Sequence, residues 1–191
     1  MAFQELSLEI KGVAPTIQHN GRLANPMDEF SKALKEISGK RKKTDDDYEQ
    51  MARIEFMGGL YVDDDGEPCW PGECLESMLK VAARMSKLGK QVERGLWCNG
   101  DWKLEYKGPK DAESLWADSR FRFTCGVKNP GSGSRIMRTR PIFRDWSLKF
   151  TLMFDPECLN AQQVREFVVT AGRFVGLSDF RPRYGRFDLV A

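Results

Sequence analysis

Basic residues gathered where no acid stands beside them are the groups that hold phosphates. Between Arg120 and Arg144 the chain carries seven of them and no acidic residue: Arg120, Arg122, Lys128, Arg135, Arg138, Arg140 and Arg144. The whole chain has a formal net charge of only +2, so the cluster is local. Phe121, Phe123, Phe143 and Trp146 flank the charges, and rings beside cations suit a phosphate backbone with unstacked bases. The same segment turns through Asn129-Pro130-Gly131-Ser132-Gly133-Ser134, which neither a helix nor a central strand accommodates. A protruding basic hairpin is therefore predicted at about 120–145. The alternative is a solvated edge whose arginines only keep a sheet soluble.

Acid–base chemistry has two candidates. His19 is the single histidine and sits in the loop after the first predicted strand, where it could take the proton of an attacking 2′-hydroxyl. Asp28 is the nearest carboxylate, at a position where the first turn of a helix favours an acid. No nucleophile elbow, Walker loop or dinucleotide fingerprint occurs, and no cofactor is expected. The five cysteines, Cys69, Cys74, Cys98, Cys125 and Cys158, are odd in number and irregularly spaced, which argues against a disulfide framework. Cys69 and Cys74 form a loose half-site without a second close pair, so free thiols rather than zinc are expected. Asp63-Asp64-Asp65-Gly66 invites calcium, but Tyr61 stands where a first ligand is needed, and a turn is predicted instead. Binding rather than catalysis leads.

The elements that must carry these residues follow from periodicity. Apolar residues make up 41% of the chain, enough for a core. No apolar run is long enough to span a bilayer, and Met1 to Leu6 lack the character of a secretory signal, so a cytoplasmic protein without membrane contact is expected. Leu6, Leu8 and Ile10 alternate with polar residues in a strand over 5–10, and Trp146 to Phe154 repeat the pattern. Helices are predicted over 27–37, from Thr44 or Asp45 to about Phe56, over 72–92 and over 162–174. Leu60-Tyr61-Val62 reads as a strand entering a turn, 96–106 as strand-turn-strand around Asn99-Gly100, and 184–190 as a closing strand. The order suggests a single α+β domain over 1–191: a ferredoxin-like, RNA-recognition-like antiparallel sheet with helices on one face, a helical insertion at about 38–60 and the basic hairpin.

Two stretches sharpen this. Pro68-Cys69-Trp70-Pro71-Gly72-Glu73-Cys74-Leu75 and the helix running on to Arg84 resemble the "I-P-G-S-S-L-K-G-x-L-R" helix start of the RAMP superfamily of CRISPR effector proteins. The proline-glycine, the leucine three residues later and a following basic residue are kept; the serine pair and second glycine are not. Gly172-Arg173-Phe174-Val175-Gly176, continuing to Tyr184-Gly185-Arg186-Phe187, is similar to the glycine-rich loop before that superfamily's last strand. In its backbone subunits, the resemblance implies, copies assemble side by side with other effector subunits along single-stranded guide RNA in antiviral defence. Arg173, Arg181, Arg183 and Arg186 would join the hairpin residues in holding RNA. Arginines paired with Asp179 or Asp188 at a simple helix exit are the structural alternative. Three functions follow: a sequence-independent single-stranded RNA-binding subunit (DNA being possible), a ribonuclease of the same fold using His19 or Asp28, or a virus-borne mimic that binds effector protein.

Overall fold

The computed structural model describes residues 2–190 apart from Asn129, Pro130 and Ser132. Those three positions of the predicted glycine-rich turn, together with Met1 and Ala191, lie outside the described residues. The chain is a mixed α+β protein with antiparallel sheets. It divides into two compact units, Met1–Thr16 with Val62–Gly108 and Phe143–Ala191, and Ile17–Tyr61 with Pro109–Ile142.

The first unit is built on β1 (Gln4–Gly12) and β8 (Trp146–Phe154), paired antiparallel. Leu6, Leu8 and Ile10 stand opposite Leu152, Phe150 and Leu148, while Ser7 and Glu9 stand opposite Thr151 and Lys149. Two-residue alternation thus puts every apolar pair on one face. The Ser7 and Thr151 hydroxyls meet at 3.0 Å on the other. The sheet order is β3 (Cys69–Pro71), β5 (Asp101–Tyr106), β8, β1 and β9 (Phe187–Leu189), with β4 (Leu96–Trp97) also pairing with β8. Helix α3 (Gly72–Met85) buries Leu75, Met78, Leu79, Ala82 and Ala83 at helical spacing, and α6 (Ala161–Thr170) buries Val164, Phe167 and Val168. Asn160 and Gln163 close a capping box at the start of α6.

Four predicted elements differ here. The helix predicted over 72–92 breaks at Lys87, whose φ is +62°, and resumes as α4 (Gly89–Gly95). Leu96 to Tyr106 is not a hairpin: β4 pairs with β8 and β5 with β3 and β8. The intervening turn is held instead by the start of α3, where the Gly72 amide donates to the Gly100 carbonyl at 2.8 Å. At Leu60-Tyr61-Val62, only Val62 pairs, in a bridge to Pro68, because the turn closes through Asp63 and Gly66. The closing strand shortens to β9, since residues before it are taken up by a packed loop.

The second unit holds α1 (Glu29–Ser38), α2 (Asp45–Gly59), a short α5 (Ala112–Ala117) and, except for Thr16 and Phe143, the three-stranded sheet β2 (Thr16–Ile17), β7 (Arg135–Phe143) and β6 (Arg122–Lys128). Thr44 and Asp47 form a capping box on α2. Phe56 of α2 meets Trp116 of α5 edge-on at 5.4 Å. The helical section at 38–60 and the hairpin up to Ile142 both fall within this unit. Among the described residues no helix is long and apolar enough to cross a membrane.

Candidate nucleic-acid interface

The hairpin forms as predicted, β6 and β7 pairing from Arg122 opposite Pro141 to Lys128 opposite Arg135. Three of its cations face protein partners, and one of those partners, Glu55, is far along the chain. Arg120, in the 3-10 turn before β6, makes a forked contact with Asp118 at 2.6–3.0 Å, and that carboxylate raises the arginine's pKa further. The Arg122 guanidinium lies 4.8 Å over the Trp116 ring. Arg138 donates to Glu55 of α2, whose other oxygen accepts the Thr139 amide at 2.8 Å. Arg140 is 9% exposed. Lys128 and Arg135 stay exposed at the far end, directly opposite one another, and Arg144 is exposed beyond β7.

Arg138 and Arg140 line one cavity of about 290 Å³ together with His19, Leu23, Ala24, Leu34, Glu55 and Thr139. The loop carrying His19 is laced to the end of α2. The Tyr61 amide donates to Gln18, the Asn20 amide to the Gly59 carbonyl at 3.0 Å, and the Asn20 side chain to Leu60 at 3.1 Å. His19 is itself exposed. Asp28 does not line this cavity. It caps α1 by accepting the Phe30 amide at 2.9 Å and pairs with Arg22 at 3.0 Å. Desolvation works against its charge, yet the hydrogen bonds from Arg22 and Phe30 hold its carboxyl below the usual range. A carboxylate held so by a cation and a helix start is a poor proton acceptor.

The second basic region is the loop between α6 and β9. A π turn, Ala171–Val175, ends α6, and the Gly176 amide donates to the Ala171 carbonyl at 2.8 Å. Gly176 and Gly185 have φ of +82° and +74°, where a side chain is strained. A Cβ on Gly185 would overlap the Leu177 carbonyl, and one on Gly176 the Tyr184 carbonyl. The Leu177 amide donates to Gly185, and the Gly185 amide to Pro15 at 2.7 Å. Both glycine amides thus have carbonyl acceptors, and the glycines let two stretches of the loop backbone touch.

The region's arginines, Arg173, Arg181, Arg183 and Arg186, are all exposed. Arg173 lies 5.1 Å over the Phe174 ring and Arg183 5.8 Å over Tyr184, while Arg186 donates to the Pro182 carbonyl at 2.8 Å. Among the described residues none of the four forms an ion pair, with Asp179, Asp188 or any other acid. Phe174 and Phe180 are 51% and 36% exposed beside them. Sequence reasoning passed over both rings and over Glu55. The rings were legible as aromatic residues next to arginines; Glu55 lies 83 residues from Arg138 and gave no local signal.

Thiol chemistry finds little support. Burial, with help from Asp101 and Asp63, pushes the Cys69 thiol up to about 12, and burial does the same to Cys98. Cys158 is exposed, and all five cysteines are free. Among the described residues no group of three or more His, Cys, Asp or Glu could hold a metal ion. No protein-family model matches this chain, and neither does any curated protein.

Proposed function

We propose that the chain binds single-stranded RNA without sequence preference, and that the loop over 172–187 is its main phosphate contact. The observation that carries the reading is the set of four exposed arginines on one glycine-pinned loop with no carboxylate partner among the described residues. Guanidiniums held on a fixed loop lose little freedom on meeting phosphate and present their donors as forks. Phe174 and Phe180 supply surfaces on which bases stack irrespective of identity. The architecture supports the same reading. The strand order β5-β8-β1-β9, all antiparallel, with α3 between β1 and β5 and α6 between β8 and β9, is compatible with a ferredoxin-like unit. In this reading the chain is a RAMP-like subunit whose copies lie side by side on the strand, with Lys128 and Arg135 at the hairpin end as secondary contacts.

Binding to a fluorescent forty-nucleotide RNA, titrated at several salt concentrations, tests this. Changing Arg173, Arg181 and Arg183 to alanine together should weaken binding to all sequences alike. It should also flatten the slope of log affinity against log salt by about 2, at roughly 0.7 per lost phosphate contact on a single strand. An unchanged slope removes the loop from the interface. Light scattering of the same mixtures reads the side-by-side assembly, which requires the bound mass to grow with RNA length.

A further inference from the structure

The cavity between the His19 loop and β7 is not used by the reading above, and its two walls differ in chemistry. One is apolar, from Leu23, Ala24 and Leu34; the other carries Arg138, Arg140, Thr139 and Glu55, with His19 at the rim. Arg138, Arg140 and His19 thus line it together with a single carboxylate residue, Glu55. That carboxylate accepts from Arg138 and from the Thr139 amide, so both its oxygens are engaged. Arg138 uses one terminal nitrogen for Glu55. Its other donors meet no protein acceptor among the described residues. A fork with spare donors, anchored by its own carboxylate, is preset for a second anion. Arg140, which also lines the cavity, is 9% exposed.

We propose that this cavity binds one phosphomonoester carried on a flat, largely apolar body: a mononucleotide, with its phosphate on Arg138 and Arg140 and its base against Leu23, Ala24 and Leu34. The volume, about 290 Å³, lies at the lower end of small-molecule sites and holds one nucleotide but not two. The same chemistry is offered by a free nucleoside monophosphate and by the 5′-phosphorylated end of an RNA. The cavity and the arginine loop share no residue, and either reading can fail without the other.

Isothermal titration with 5′-AMP and with inorganic phosphate reads the pocket directly. Wild-type protein should bind AMP, more tightly than phosphate alone. Ala24→Trp, which fills the apolar side from an exposed position, and His19→Ala should each weaken AMP by about tenfold or more, the loss of one charge-assisted contact or its equivalent. Arg140→Gln should do the same where circular dichroism shows the fold retained. Changing Arg173, Arg181 and Arg183 to alanine should leave AMP binding intact, which separates this site from the RNA loop. Two eight-nucleotide RNAs, with a 5′-phosphate and with a 5′-hydroxyl, then distinguish the sources. A preference of about tenfold for the phosphorylated end, lost in Ala24→Trp, assigns the pocket to an RNA terminus; AMP binding without that preference assigns it to a free nucleotide. Absence of AMP binding together with no end preference, or AMP binding unchanged in both Ala24→Trp and His19→Ala, overturns the proposal.

Discussion

The hairpin and the C-terminal loop are both arginine-rich, yet among the described residues only the hairpin has arginines paired with carboxylates. On the hairpin, Arg120 and Arg138 each face a carboxylate, Arg122 lies on a tryptophan and Arg140 is buried. On the loop, Arg173, Arg181, Arg183 and Arg186 are exposed and, among the described residues, without a carboxylate. A count of charge along the sequence ranks the hairpin first; the fold reverses the order. What matters is the charge left after the partners brought by distant segments are subtracted, and Asp118 and Glu55 sit just outside or far from the acid-free window.

Substitutions can break this contrast. The largest effect is expected from Glu55→Ala, which strands the Arg138 guanidinium and the Thr139 amide. It should lower stability by about 3 kcal/mol in urea unfolding. A loss below about 1 kcal/mol would mean that the hairpin cations are not held by Glu55. Next comes Gly185→Ala, which places a side chain at φ +74° against the Leu177 carbonyl. It should cost about 2 kcal/mol or more and weaken RNA binding while all four loop arginines remain. Retained binding would separate the arginines from the loop's fixed shape. Lys128→Ala is smaller. Removing one of two like charges directly opposite each other should raise stability by a few tenths of a kcal/mol, and should lower the RNA salt slope by at most about 0.7. A larger fall would return the hairpin to first place.

The smallest effect concerns acid. The hydrogen bond from Lys40, with the Thr44 amide and hydroxyl, holds the Asp47 carboxyl at about 2, down from 3.8. Stability from this carboxylate is complete above the unfolded value of 3.8 and is lost as pH falls through about 2. Asp47→Asn should therefore flatten the dependence of Tm on pH between about 4 and 2. An unaltered acid limb would show that the α2 cap contributes nothing there.

The parts of the fold legible in the sequence are those whose signal is local. Leu6, Leu8 and Ile10, and the alternation from Trp146 to Phe154, marked two strands that prove to be neighbours. Asp28 and Thr44 marked helix starts because a cap acts within a few residues. The pairing of β5 with β3 and β8 was hidden, since Asn99-Gly100 has the composition of a hairpin turn and only the start of α3 diverts it. The break at Lys87 was hidden as well, for a lysine at positive φ has no sequence signature. The arginine loop was legible as glycines and charges, but the glycines serve carbonyl contacts rather than phosphate. Glu55, which decides the state of Arg138, was invisible.

The placement of β1 has a consequence for synthesis. Both of its neighbours, β8 and β9, lie at residues 146–154 and 187–189. A nascent chain made from the N-terminus therefore carries β1 as an open strand until most of its length has left the ribosome, with Leu6, Leu8 and Ile10 uncovered. The second unit closes earlier, because its own segments end at Ile142. Glu5 and Glu9, interleaved with the apolar residues of β1, are the charges that guard the waiting strand against pairing with another chain. A product that stops before β8 would leave that strand with no partner of its own.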